Sequence, residues 1–460
     1  MMKKTIHIGI LMILIMSSCQ KTFLDKKPDK AILVPTRLNE LQALLDNYQV
    51  LNRSTGIGYL SNDDFNTTDA GFSAFTSPIE RNAYRWQTEI TEGASLLDWN
   101  VPYQEIFYAN VVLEGLANLS VANQEEQTAK NCKGHALFLR AYAYFQLMQL
   151  FSEPYQTANA GKALGVPIVT ASRTDQSLVR NTQEEVFNFM EADLKSAVTL
   201  LNPVQNFATR PDQAAGYAML ARIALAKADY PQVVQYAKQA LDLRNNLIDY
   251  NTLSAAASKP FPIPLPNQNT EVLYYTAQLS YSFLNSSLCF VSPELYQSYD
   301  NNDLRKGLYF LSRGSNQYTF KGSYSGSISP VSVFEGPTTN EVMLMYAEAL
   351  VRTGKLPEGI GQLNKLLKTR WKTGTYTDFN TSDPLIALTK VLTERRKELV
   401  GRGLRWFDLR RLNLDPRFQK SLSRTIAGQT YELAPQSKKY TFPIPDQEVK
   451  TYGWVQNVRE

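Results

Sequence analysis

From Tyr103 onward, apolar residues recur every three or four positions, the spacing that places them on one face of a helix. The pattern predicts helices over 103–119, 128–151, 183–201, 212–227, 231–243, 340–353, 357–370 and 385–400. Two pairs share a design. In 214–243, Gly216, Ala218, Ala221 and Ala224 offer a small-residue face, and a turn ending at Pro231 starts a second helix with Val234, Ala237 and Leu241 inward. In 340–370, Tyr346, Ala347 and Leu350 precede a turn ending at Pro357, and Ile360, Leu363 and Leu367 follow. Small residues let antiparallel helices approach closely, and a proline in the first turn removes no needed hydrogen bond.

Eight helices make four such pairs, and each resembles the tetratricopeptide helix–turn–helix repeat. The pairs are not contiguous, so each must stack on its neighbours across insertions. Residues 50–102 are rich in Gly, Ser, Asn and Asp, and 244–339 also leave the helical period. Stretches that long are uncommon without a function or a fold of their own. The expected fold is mostly α: a superhelix of four tetratricopeptide-like helix pairs, at 103–243 and 340–411, with a variable loop-rich lobe of short strands drawn from 50–102 and 244–339.

The N-terminus has a different pattern. Lys3 and Lys4 precede the apolar run Ile6–Met16, then Ser17, Ser18 and Cys19. The run is too short for a membrane span, which needs ~20 residues, and suits a secretory leader. The junction resembles a bacterial lipobox, with Met16 where Leu is more usual. Residues 1–18 read as a lipoprotein signal, Cys19 as the lipid-attachment site, 19–36 as a tether and 37–460 as the folded part. Each buried lipid CH₂ contributes ~0.8 kcal/mol, so two or three acyl chains hold a protein to a membrane almost permanently.

Composition removes several functions. Lys and Arg number 48 against 43 Asp and Glu, with no basic stripe interleaved with aromatics, so no nucleic-acid partner is expected. Of the two histidines, His7 leaves with the leader. His135 starts a helical pattern and reads as packed or surface, and a Ser-His-Asp triad would have to be built on it alone. Cys132 and Cys289 make no zinc cage, and whether they pair is open. The Asp-containing run 61–69 lacks the EF-hand spacing, and no cofactor is expected.

The most specific segment is "LTERRKELVGRGLRWFDLRR" at 392–411. Glu394 and Glu398 lie one helical turn apart, and Gly401 and Gly403 suit a left-handed helix end. Carboxylates among so many guanidiniums read as clamped in ion pairs that fix a helix end, not as an acid/base pair with one member kept protonated. The segment resembles the signature of the SusD/RagB family of surface nutrient-binding lipoproteins: Glu394, Arg395, Glu398, Leu399, Gly403, Arg405, Trp406, Phe407, Asp408 and Arg410 match. Arg402 stands where the family has Glu, which puts one ion pair in question, and Leu404 where it often has His. Phe23–Asp25 with Pro28, the stretch from Trp99 to Asn110, the helix pair at 340–370, and Phe442–Pro445 with Glu448, Gln456 and Asn457 resemble other family landmarks.

The resemblance implies a helical face docked on a SusC-like TonB-dependent outer-membrane porin and a variable lobe that captures ligand at the cell surface. Its ligand contacts lie in variable insertions, so candidates come from residue chemistry. Sugars pack C–H faces on aromatic rings and present hydroxyls to polar rims. Trp86, Tyr281, Phe283 and Tyr324 are the candidate platforms, with Asp63, Asp64 and Arg85 as polar neighbours, while Trp99, Trp371 and Trp406 border helical motifs and read as structural. The leading expectation is a glycan or oligosaccharide-binding subunit and not an enzyme. The alternatives are the same complex binding peptide, and a glycoside hydrolase.

Overall fold

The computed structural model describes residues 35–173, 177–325 and 333–460, so Cys19 and nearly all of the tether lie outside the described residues. Its frame is a run of helices: α1 (Leu38–Leu45), α2 (Leu97–Ala117), α3 (Gln127–Phe151), α4 (Gln183–Leu200), α5 (Gln213–Ala226), α6 (Tyr230–Leu243), α7 (Thr339–Arg352), α8 (Leu356–Lys368), α9 (Pro384–Glu398) and α10 (Leu404–Leu412). From α2 to α8 each helix packs on the next, and α9 packs on α7 and α8. Helix α6 meets α7 across the long insertion between them, so the array is continuous in space although interrupted in sequence.

Helix starts follow local chemistry. Thr182 and Glu185 form a reciprocal capping box on α4, with Glu185 N–H donating to Thr182 Oγ1 at 3.2 Å and Thr182 N–H to Glu185 Oε2 at 2.8 Å. Asp212 caps α5 and Asp383 caps α9, while proline enters the first turn of α6, α8 and α9. Helix α2 begins at Leu97, not at 103, and contains Pro102. Pro102, sixth in the helix, forgoes the bond an N–H there would give to the carbonyl of Asp98 and crowds that carbonyl, a local cost inside an otherwise continuous helix.

The strands are short: β1 (Arg53–Ser54), β2 (Phe65–Asn66), β3 (Ala277–Gln278), β4 (Phe290–Val291), β5 (Phe310–Ser312), β6 (Tyr318–Phe320), β7 (Leu422–Ile426) and β8 (Gln429–Leu433). Strand β1 pairs parallel with β3, and β2 antiparallel with β4, so the two irregular stretches meet each other. β5–β6 and β7–β8 are hairpins. The second was not expected from the sequence. Its two-residue turn puts Ala427 and Gly428 at φ 48° and 78°, the left-handed pair a type I′ turn requires.

One apolar core runs through the helices and the strand region, and a smaller cluster joins Leu41 and Leu45 of α1 to Ala109, Val112 and Cys132. Cys132 and Cys289 are both buried and free. Burial pushes the Cys132 thiol up to about 12 and that of Cys289 higher, which leaves both inert.

His135, on α3, is 1% exposed, and neither ring nitrogen has a hydrogen-bond partner among the described residues. Burial pulls its pKa down to about 4, with Asp46 opposing. A depressed imidazole pKa removes stability as pH falls below the unfolded value of ~6.5, because the unfolded chain takes a proton the folded chain refuses. The loss is complete near the folded value and is worth roughly 3 kcal/mol. Urea titrations at pH 7 and pH 4 are expected to show the wild type losing about that much more than His135→Leu; equal losses would refute a neutral buried imidazole.

Candidate functional site

The end of α9 organises the strand region. Glu394 and Glu398 are clamped by arginines, but these come from distant segments and not from the neighbouring Arg395 and Arg396. Arg305 reaches Asp303 at 2.7 Å, Glu394 at 2.5 Å and Glu398 at 3.0 Å. Arg370, just past α8, reaches Glu271 and Glu398 at 2.8 Å each. Burial alone would raise Glu394, yet Arg305, Lys397 and Lys390 hold it at about 2, and Glu398 is likewise lowered by Arg370 and Arg305 against its burial. Neither carboxyl stays protonated or opens to a cleft, so the pair lacks what glycosidic acid/base chemistry needs.

The neighbouring arginines hold other partners. Arg395 binds Asp408, and Arg411 joins Asp408 to Glu348. Arg396 spans Asp63, Asp64 and Glu294, while Arg405 grips Asp63 through a two-bond fork of 2.6 and 2.9 Å. Between α9 and α10, Gly401 and Gly403 stand at φ 71° and 72°, where a Cβ would strike Phe320 at 2.3 Å and Glu335 at 2.1 Å. Only glycine turns the chain there. Arg402, between them, pairs with no carboxylate among the described residues and lies 3.6 Å over the Tyr324 ring.

Burial overturns most of the candidate platform. Trp86 is 1% exposed, with its indole N–H donating to the Ser61 carbonyl at 2.9 Å. Phe283 is fully buried among Phe75 and Tyr84. Tyr324 is fully buried, with its hydroxyl donating to Glu271 and one ring face covered by Arg402. None of the three rings has a face to offer. Asp64 is buried against Arg396, and burial raises its pKa. Asp63 is held well below the ordinary carboxylate range by Arg405, Arg396 and Lys420 against its burial, so its oxygens are already engaged. Tyr281 is half-buried with its hydroxyl donating to Asp98, whose other oxygen accepts from the Gly56 and Ile57 amides at 2.6 and 2.9 Å. Arg85 reaches the surface, 5.3 Å from the Phe72 ring centre and 5.8 Å from that of Tyr431.

The structure instead places a partly exposed aromatic pair beside the ion network. Tyr296 stands on the short helix Pro293–Gln297, started by Pro293 and capped by Ser292. Tyr318 opens β6. Their rings stack at 3.5 Å between centres, 13° from parallel. Lys306 Nζ lies 5.3 Å from the Tyr296 ring and donates to Asn301 Oδ1 at 2.9 Å. Glu294, held by Arg396 and Lys420, is exposed two residues from Tyr296. Aromatic faces thus sit within a rim of one amide and paired charges. Alternation marked Tyr318: in Tyr-Thr-Phe, Thr319 is buried while Tyr318 and Phe320 share the opposite face.

Two family models match the chain: one described as "Starch-binding associating with outer membrane" over residues 22–225, and one described as the SusD family over residues 339–458. A SusD-like protein P2 of Formosa agariphila is 24% identical over 416 residues, covering 76% of this chain and 77% of that protein. Among solved structures, a putative sugar binding protein from Bacteroides vulgatus superposes with a TM-score of 0.74 at 22% identity, covering 92% of this chain and 99% of the other. A SusD superfamily protein from Bacteroides thetaiotaomicron gives 0.74 at 20% identity, covering 92% and 100%. A SusD-like carbohydrate binding protein from Bacteroides vulgatus gives 0.70 at 18% identity, covering 91% and 97%. These likenesses show a shared fold along nearly the whole chain, and with the two models bracketing its N-terminal and C-terminal parts the chain belongs to the SusD family.

Proposed function

We propose that this protein is a cell-surface nutrient-binding lipoprotein that captures a glycan or oligosaccharide, without altering it, and passes it to a SusC-like TonB-dependent outer-membrane transporter. The partly exposed Tyr296–Tyr318 stack, rimmed by Asn301, Lys306 and Glu294, carries the reading. A ring face turned out of the stack would receive the C–H face of a sugar, and the polar rim its hydroxyls. Arg85 and Tyr281, both partly exposed, remain candidate ligand contacts, while Asp63 is taken up by its ion pairs. In this reading the irregular stretches 50–102 and 244–339 face ligand, one face of the helical array docks on the transporter, and Cys19 carries the lipid. The names of the relatives favour carbohydrate as cargo.

Cells displaying the wild-type chain are expected to retain a labelled glycan drawn from a screen of neutral and acidic oligosaccharides and peptides. Tyr296→Ala with Tyr318→Ala should weaken binding of the purified chain roughly tenfold or more, since partly exposed rings are removed without opening the core. Cys19→Ser should strip binding from the cells while leaving the purified chain competent. Affinity unchanged by the double tyrosine variant would refute the platform; retention of a peptide in place of glycans would reassign the cargo; hydrolysis products would refute simple capture.

A further inference from the structure

A second surface, away from the tyrosine stack, has the makings of a binding site. Two open clefts of about 460 and 480 Å³ meet at Arg210, between α1, the first turns of α3 and the loop that follows α4. Each lies in the size range of small-molecule pockets. The walls of the first are mostly side-chain amides: Asn39 and Gln42 on α1, Gln127 on α3, and Asn202 and Gln205 on the loop. The second is lined by Tyr48, Phe207, Leu265 and Pro266.

The amides sit on a braced floor. Asn131 is 6% exposed, and its Oδ1 accepts from the Asn202 backbone N–H and from Gln205 Nε2, both at 2.9 Å. Gln127 Nε2 donates to Asn202 Oδ1 at 3.2 Å. Nothing in this packing consumes Asn39, whose side chain makes no hydrogen bond among the described residues and is exposed. Charge is cancelled at the junction, where Arg210 binds Asp46 through a two-bond fork of 2.8 and 2.6 Å. The same guanidinium lies 5.7 Å from the Phe207 ring centre, and that ring is 49% exposed. Val204, 61% exposed, stands on the same loop.

A surface that holds apolar groups out in water beside neutral amides matches a ligand with apolar faces and many hydroxyls. Amides supply donors and acceptors together, which suits hydroxyls that are both. An anionic or cationic ligand would find its opposite charge already paired. We propose that the paired clefts are a second ligand site, taking a neutral oligosaccharide with its C–H face on Phe207 and its hydroxyls on the Asn39, Gln42 and Gln127 amides. This site stands independently of the Tyr296–Tyr318 platform.

Isothermal titration of the full chain in detergent tests it, with maltohexaose, xylohexaose and laminarihexaose as neutral probes and hexagalacturonate as the acidic one. The wild type is expected to bind a neutral hexaose at two sites per chain, and Phe207→Ala with Asn39→Ala, both exposed positions, to remove one of them with an unchanged melting temperature. In a chain already lacking both tyrosines, adding these two changes should lower the remaining affinity roughly tenfold. Loss of binding only on changing Phe207 and Asn39 would sustain the cleft and refute the tyrosine platform. A single site unaffected by Phe207→Ala with Asn39→Ala, no binding of any neutral probe, or equal binding of hexagalacturonate would overturn the proposal.

Discussion

Replacing Arg305 with methionine is expected to destabilise the protein by about 4 kcal/mol at pH 7, the range for breaking a buried ion pair by removing one partner. Arg305 is fully buried and contacts Asp303, Glu394 and Glu398. Without it, Glu394 keeps Lys397 at 3.1 Å and Lys390 at 3.0 Å, Asp303 keeps Lys397 at 3.0 Å, and Glu398 keeps Arg370. Counting Glu271, which shares Arg370, four carboxylates then face the three cations Lys390, Lys397 and Arg370, and water cannot enter to compensate. The pH dependence separates this from lost packing. Asp303, Glu394 and Glu398 have depressed pKa values, with burial opposed by Arg305 and its neighbours. In the wild type their contribution is present above the unfolded carboxylate values of ~4 and is lost as pH falls through the folded ones. In the variant the same carboxyls become easier to protonate. The stability gap measured by urea unfolding should therefore be widest at pH 7 and narrow toward pH 3. A gap below about 1 kcal/mol, or one that ignores pH, would contradict the assignment.

The consequence reaches the aromatic surface. Tyr299 donates its hydroxyl to the Lys397 carbonyl at 2.6 Å, and the Arg305 guanidinium lies 5.7 Å from its ring. Tyr299 follows Tyr296 closely along the chain and packs its ring edge-on to Phe310, which Tyr296 also touches. The ion network thus holds the segment that presents Tyr296, so under the proposed function the family motif would act on ligand capture through position and not through contact.

Helical periodicity located the long helices closely because each keeps apolar residues at helical spacing toward its neighbours, α3 and α5 on nearly every side. The ion-pair reading of 392–411 also carried over in kind, since Glu394 and Glu398 are clamped. The identity of the clamps was hidden: Arg305 and Arg370 are separated from Glu398 by whole elements, and no local spacing announces them. Aromatic residues in the aperiodic stretches posed the harder problem. Between regular elements, a buried ring and an exposed ring look alike in sequence, because nothing local says which side faces the core. Trp86, Phe283 and Tyr324 went inward, whereas Tyr318 on a strand and Tyr296 on a single helical turn stayed half outside. The β7–β8 hairpin was marked only by Ala427-Gly428, and its strands carry Arg424 inward to reach the Leu60, Asn62 and Tyr84 carbonyls.

That same arginine frames the second large effect. Trp86→Ala is expected to lower stability by about 3–5 kcal/mol, the range for removing a large buried aromatic from a core that relaxes only in part. The Arg424 guanidinium lies 4.6 Å from the Trp86 ring and would lose that face, and the Ser61 carbonyl would lose its indole donor. Trp86→Phe keeps most of the ring and loses the hydrogen bond, so it should cost nearer 1 kcal/mol. A ligand platform would behave in the opposite way, with stability intact and affinity gone. Thermal unfolding paired with glycan titration well below the melting transition, where the variant is still folded, separates the two. The expected result is a large fall in melting temperature for Trp86→Ala and a small one for Trp86→Phe, with affinity per folded chain unchanged in both. A Trp86→Ala chain that melts like wild type and no longer binds would return Trp86 to the ligand surface and displace the tyrosine stack from that role.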